Sequence, residues 1–289
     1  MLRFSLCLVL PLLLVMPGDL AGQSDPVDFQ FISGGNQLQG RFVPALGASD
    51  RTVLLLPDLP GSDGSGGVVQ DLGTALSEAG VHVLTFNYRG THGSEGFFTL
   101  SGVSQDIDAA RRWLGSEDTA NRFGVDPDNV AIGGYGFGGG LGMAYASTDL
   151  DITSVFSVSG FDLSVGIARY ADDPIYASFF ATMLGASEPG NQTVRWERGD
   201  FFAFVKEAVQ GSGRWDLRQA APQLARKRVL LIGGLDDVQV PLEDHILPLY
   251  RTLRGLGTRN LDLAVYQDDH SFDDVRDELT ETLVDWLQE

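Results

Sequence analysis

The segment Gly134-Tyr135-Gly136-Phe137-Gly138 has the spacing of a G-x-S-x-G turn, in which a strand bends sharply into a helix and holds a nucleophile at its tip. Glycines two residues either side of the centre keep other side chains from colliding there, and both are present. The centre is Gly136, and a hydrogen atom cannot attack a carbonyl. Covalent acyl transfer in its usual form is therefore unavailable, although the backbone for it is provided. No other serine fits the pattern: Ser157 and Ser159 fall in or just beyond a strand, and Ser62 and Ser65 belong to a turn-rich loop. A different chemistry is open to Asp236, Asp237, Asp268, Asp269, Asp273 and Asp274, since hard cations take several carboxylates. A solvated acidic rim is the simpler reading of that cluster, and neither metal nor cofactor is expected.

The elements that must position these residues alternate between strand and helix. Phe29 to Ile32 and Leu38 to Val43, separated by Gly34-Gly35-Asn36, read as a hairpin. The apolar run Val53 to Leu56 reads as a buried strand, followed by a turn-rich stretch from Pro57 to Gly67 and a helix near Val68 to Ala79. Val81 to Phe86 is the next strand, and Ile107, Ala110 and Leu114 recur at helical spacing between about Ser104 and Leu114. Val130 to Gly133 runs into the glycine turn, and the small residues of Gly138 to Ala146 suit a helix packed closely on a sheet. Val155 to Val158, Val229 to Ile232 and Leu261 to Tyr266 are further strands, and a closing helix puts Val275, Leu279, Leu283 and Trp286 on one face. This rhythm predicts an α/β domain with a mainly parallel sheet covered on both sides. Residues 161–224 break it with many aromatics among Gly, Asp and Pro, which predicts a small lid inserted above the sheet, its rings mostly packing on one another.

Arg3, the apolar stretch Phe4 to Met16 and the small residues Ala21 and Gly22 read as a secretory signal peptide over residues 1–22, cleaved near Ala21-Gln23. The expected product is a periplasmic or extracellular domain over 23–289. The single cysteine, Cys7, lies in the leader, so the mature domain has no disulfide, thiol nucleophile or thiolate metal site. A net charge of −19 argues against nucleic acid and anionic membrane surfaces as partners.

Four separated segments resemble the α/β-hydrolase superfamily, in particular dienelactone-hydrolase-like and prolyl-oligopeptidase-type serine esterases and peptidases. They are Tyr88-Arg89-Gly90-Thr91-His92-Gly93-Ser94-Glu95-Gly96, then Gly124-Val125-Asp126-Pro127-Asp128-Asn129-Val130-Ala131-Ile132 leading into the glycine turn, then Gly234-Leu235-Asp236-Asp237-Val238-Gln239-Val240-Pro241, and Gln267-Asp268-Asp269-His270-Ser271-Phe272. Their order is nucleophile site, acid, base. The resemblance implies an α/β-hydrolase fold and a small ester, amide or short peptide as substrate. It makes His270 the general base and Asp237 its orienting acid, with Asp236 as the alternative acid, and leaves Gly136 as the degenerate nucleophile position. It gives the oxyanion site the backbone N–H groups of Phe137 and Leu59. His82, His92 and His245 are left as strand, turn and helix residues without chemical roles.

Two positions depart from the family pattern. Gly136 replaces the serine, and Pro57-Asp58 replaces the usual His-Gly of the oxyanion loop, where an Asp58 carboxylate would oppose a developing oxyanion. Losing the serine of such a triad costs about 10⁶-fold in kcat, about 8 kcal/mol of barrier. Three outcomes stay open: loss of catalysis, His270 activating a water directly in the space vacated at Gly136, or a noncatalytic pocket that binds a small molecule or a protein partner.

Overall fold

The computed structural model describes residues 25–60, 67–184, 194–196 and 201–289. The expected signal peptide, Gly61, Ser62 and Ser65 lie outside the described residues. Strands β1 (Val27–Ser33) and β2 (Asn36–Val43) form the expected hairpin, closed by Gly34 and Gly35 at φ 56° and 84°. Strand β3 (Thr52–Leu56), helix α1 (Gly67–Glu78) and strand β4 (His82–Phe86) follow.

Helix α2 (Leu100–Leu114) begins four residues before the expected Ser104, because Thr99 caps it by accepting the Gly102 N–H. Helix α3 (Glu117–Phe123) was not foreseen. Its seven residues are too few to display a 3.6 period, although Ser116 caps its start and Gly124, at φ 76°, ends it. Strand β5 (Val130–Tyr135), helix α4 (Phe137–Thr148) and strand β6 (Ser154–Val158) build the centre.

Residues 161–224 fold, where described, into α5 (Leu163–Asp172), α6 (Pro174–Met183), α7 (Phe201–Gln210), α8 (Ser212–Trp215) and α9 (Leu217–Leu224). The last of these packs against α4 and against α10 (Leu242–Gly255), which follows β7 (Arg228–Gly234). Strand β8 (Leu261–Tyr266) and α11 (Arg276–Gln288) complete the chain.

The eight strands form one sheet in the order β1-β2-β4-β3-β5-β6-β7-β8. Only the β1–β2 and β2–β4 pairings are antiparallel. Alternation along β3 separates the two cores: Leu54 and Leu56 face the layer containing α2, α4, α9 and α10, whereas Val53 and Leu55 face α1 and α11. The parallel strands therefore end together, at one edge, in the loops after β3, β5, β7 and β8.

A buried ion pair holds the neighbouring loop. Arg89, just beyond β4, gives its backbone N–H to Asp106 Oδ2 at 3.0 Å and its Nη2 to Oδ1 at 2.7 Å, and the same Nη2 reaches Ser33 Oγ at 3.1 Å. Asp106 is fully buried, so removing it strands the guanidinium. Asp106→Ala is expected to cost about 3–5 kcal/mol in urea unfolding; a loss within experimental error of zero would show that the pair does not anchor this loop.

Candidate active site

Gly136 sits between β5 and α4 with φ 56° and ψ −121°, the strained turn that its flanking glycines permit. Its N–H donates to Val158 O at 2.9 Å and its carbonyl accepts the Phe161 N–H at 2.9 Å, so both sides of the turn are fixed. The glycines beside it are there for want of room. A Cβ on Gly134 would lie 2.6 Å from Leu56 O, and one on Gly138 would overlap that same carbonyl. The elbow is thereby pressed against the end of β3, from which the Pro57-Asp58 loop leaves.

Asp58 reaches into the space above residue 136. A Cβ at Gly136 would overlap Asp58 Oδ1 and come within 2.9 Å of Oδ2. Oδ1 accepts the Phe137 N–H at 2.6 Å, the backbone donor expected to serve an oxyanion. Oδ2 lies 3.6 Å from His270 Nε2, a charge contact just beyond hydrogen-bond distance. Leu59, the other expected oxyanion residue, is next on the same loop with its side chain buried in the core. The carboxylate thus fills the volume that a side chain at residue 136 would need and occupies the Phe137 N–H.

On the far side of the ring, His270 Nδ1 is 2.7 Å from Asp237 Oδ2. Asp237 is fully buried and otherwise saturated: Ser159 Oγ donates to Oδ2 at 2.7 Å, and the Gln239 and Val240 N–H groups donate to Oδ1 at 2.9 and 2.8 Å. Tyr135 stacks obliquely on the imidazole, with ring centres 4.9 Å apart, and donates its hydroxyl to His270 O at 2.6 Å. Burial raises the Tyr135 phenol, as do the Asp58 and Asp237 charges, so it stays a donor. Burial alone would lower His270; the Asp237 hydrogen bond and the Asp58 contact outweigh it and raise its pKa to about 9. Burial would likewise raise Asp237, but the His270 hydrogen bond and charge, with its other donors, hold it below the usual carboxylate range. The imidazole thus lies between the side chains of Asp237 and Asp58, and both favour its protonated form.

The rings expected over the sheet do pack together. Phe137 is flanked by Phe98, Phe161 and Phe204 at centroid distances of 6.2, 6.1 and 6.4 Å, and Trp196 and Phe201 join that cluster, while Phe202 is exposed.

Sequence comparison gives little and structural comparison much. No protein-family model matches the sequence. Two uncharacterized proteins, from two strains of Mycobacterium tuberculosis, are 31% identical over 112 residues, 39% of this chain and 36% of theirs. The chain thus spans about a third of the length of the curated relatives it matches. Among solved structures, an esterase of Pyrococcus furiosus is similar with a TM-score of 0.66 at 19% identity, covering 94% of this chain and 93% of that one. The esterase domain of a Rhodothermus marinus protein gives 0.62 at 18% over 91% and 97% of the two chains. An acylaminoacyl peptidase of Pyrococcus horikoshii gives 0.65 at 17% over 91% of this chain and 41% of its own. This chain has the α/β-hydrolase fold.

Within that fold the structure brings Gly136, Phe137, Asp58, Asp237 and His270 together at one sheet edge and leaves Asp236 outside, its carboxylate held by Gln267 Nε2 at 2.6 Å. The acidic cluster does not converge: Asp268 caps the Asp269 and Asp274 N–H groups, Asp273 pairs with Arg276, and among the described residues no group of three ligating side chains could hold a metal ion. His82 and His245 accept the Ala45 and Asp162 N–H groups through Nδ1, and His92 Nε2 lies 2.7 Å from Pro60 O, each in the strand, helix or turn expected of it. Sequence reasoning missed Tyr135 and Ser159 as supports of His270 and Asp237. Ser159, at φ 43°, has no local sequence signal for that role, whereas Tyr135 lies inside the glycine turn.

The shifts fix the pH response. His270 binds its proton more tightly folded, at about 9, than at its ordinary 6.5, so its stabilisation is complete below pH 6.5 and fades as pH rises through about 9. Asp237, held below 3.8, stabilises above that value and loses its contribution as pH falls through its lowered pKa. Asp58→Asn is expected to lower the His270 midpoint followed by NMR of the ring proton between the nitrogens; an unmoved midpoint would show that the 3.6 Å contact carries no charge coupling.

Proposed function

We propose that this chain is an exported relative of ester, amide and peptide hydrolases that does not turn over such substrates through an acyl-enzyme. The observation that carries this reading is the position of the Asp58 carboxylate, against residue 136 and on the Phe137 N–H. Gly136 supplies no nucleophile, and the anion beside it repels the negative charge that an acyl-transfer transition state develops. The two departures from the family pattern are therefore one change: the side chain lost at 136 makes the room that Asp58 occupies. Export rests on the leader-like composition of residues 1–22, and the charge of −19 favours a small molecule over nucleic acid or an anionic membrane as partner.

A second reading, a noncatalytic pocket that binds a small molecule or a protein, is favoured by the closure of the site on itself. Among the described residues the Phe137 N–H and the Asp237 carboxylate find partners within the chain, so a ligand would meet an occupied donor rather than an open oxyanion site.

Short p-nitrophenyl acyl esters and aminoacyl anilides separate these readings from ordinary catalysis. The unmodified chain is expected to be silent, and Gly136→Ser alone to stay silent because its hydroxyl needs the volume of Asp58. Gly136→Ser/Asp58→Gly is expected to gain turnover that falls by at least about 10²-fold on adding His270→Ala. Turnover by the unmodified chain, or by Gly136→Ser alone, would sink the proposal; silence in the double variant would favour the binding reading.

A further inference from the structure

A group of hydrogen-bond donors that the Asp58 site does not use lies at the opposite edge of the sheet, where the parallel strands begin. Arg51 precedes β3, Asn129 precedes β5, and Ser154 and Arg228 open β6 and β7. Alternation puts all four on the α11 side, because Val53, Ala131, Phe156 and Leu230, two residues further along each strand, belong to the core under α1 and α11. With Trp286 and Glu289 from the end of α11 they line a cavity of about 260 Å³.

Both arginines already serve the end of that helix. Arg51 Nη2 donates to Gln288 O at 2.9 Å, and Arg228 Nη2 donates to Trp286 O and, at 3.1 Å, to Glu289 Oε2. The Arg228 guanidinium also lies over the Trp286 ring, 4.3 Å from its centre. Cations on the last carbonyls of a helix offset its dipole, and this accounts for one nitrogen of each arginine. Among the described residues it leaves Nε and Nη1 of both without an acceptor. It also leaves the Trp286 indole N–H, which is buried and makes no hydrogen bond. A buried donor without a partner is costly, so its place beside two cations marks a missing acceptor. Among the described residues the only carboxylate lining the cavity is that of Glu289, 74% exposed, and its pairing with Arg228 is of the weak surface kind.

We propose that this cavity binds a phosphate group, free or carried on a small molecule, between Arg51 and Arg228. The two arginines start three strands apart, about 14 Å, yet reach carbonyls of the same last turn of α11, so their guanidinium groups converge. Asn129 and Ser154, on the two strands between, add an amide and a hydroxyl to the floor. Donors arriving from several directions suit a tetrahedral anion with acceptors on every side, whereas a flat carboxylate is satisfied by one guanidinium fork. Phosphate then replaces Glu289 on Arg228. The net charge of −19 opposes any incoming anion, so the affinity expected is modest, with Kd about 1 mM. The proposal is independent of what Asp58 and residue 136 do.

The test is a titration of the unmodified chain with sodium phosphate, ionic strength held constant with sodium chloride, followed by NMR of the indole N–H groups. The Trp286 signal is the one lost in Trp286→Phe. Its saturable movement is expected with a midpoint of about 1 mM, while the signals of Trp113, Trp196 and Trp215 stay in place. Arg51→Gln and Arg228→Gln, shown to be folded by circular dichroism, are each expected to raise the midpoint at least about tenfold. Glu289→Gln is expected to lower it about threefold, because phosphate no longer competes with that carboxylate. A role confined to capping α11 would not produce that gain. Glycerol 3-phosphate distinguishes the sources: a midpoint below that of inorganic phosphate means that the group arrives on a small molecule, and one above it means that free phosphate is the ligand. The proposal is overturned if phosphate moves the Trp286 signal no more than chloride does, if acetate moves it equally, or if the midpoint is unchanged in both folded arginine variants. Where an arginine variant does not fold, a midpoint that fails to drop in Glu289→Gln overturns it.

Discussion

The site depends on the absence of a side chain at residue 136. The elbow brings the end of β5, the start of α4 and the end of β3 so close that Gly134 and Gly138 have no room for a Cβ beside Leu56 O, while a Cβ at Gly136 would meet the Asp58 carboxylate. In that crowding only one group can stand above the turn. A serine there would leave the Phe137 N–H and the His270 Nε2 directed at an open reaction centre. With glycine there, the Asp58 carboxylate stands in the space and takes both partners. Glycine at 136 and this position of Asp58 go together, since a serine side chain and the carboxylate would exclude each other.

Electrostatics then follow from geometry. A histidine beside one buried carboxylate is a base held in orientation; beside two it is a cation. Asp58 supplies the second charge, and His270 stays protonated where an ordinary histidine would be losing its proton. Asp237 remains ionised despite full burial because four donors, the imidazole among them, satisfy it. Within the α/β-hydrolase fold the His270–Asp237 pair is thus held in alignment, while an anion rather than a donor-lined cavity stands above residue 136.

The fold was legible because its signals are local and repeated. Apolar runs such as Val53 to Leu56 and Val229 to Ile232 mark the strands, and the spacing from Asp237 to Pro241 marks a loop at a strand end. Glycine at 136 and aspartate at 58 were each visible as departures. Their contact was not, because 78 residues separate them and only the close approach of β3 and β5 joins their loops. Ser159 was hidden for a similar reason: its partner Asp237 lies on the loop after β7, and nothing beside Ser159 in sequence announces it. Short α3 and the early start of α2 escaped because capping by Ser116 and Thr99, rather than hydrophobic periodicity, sets their boundaries.

The most direct test of the claim that Gly136 and Asp58 share one space is a double-mutant cycle in stability, with urea unfolding of the unmodified chain, Gly136→Ser, Asp58→Gly and the pair. Backbone strain from a serine at φ 56° enters both arms and cancels. Exclusion predicts that Gly136→Ser is costly beside Asp58 and much less so in Asp58→Gly, with a coupling above about 1 kcal/mol. Effects that add to within about 0.5 kcal/mol would mean that the two residues do not compete, and would contradict the account.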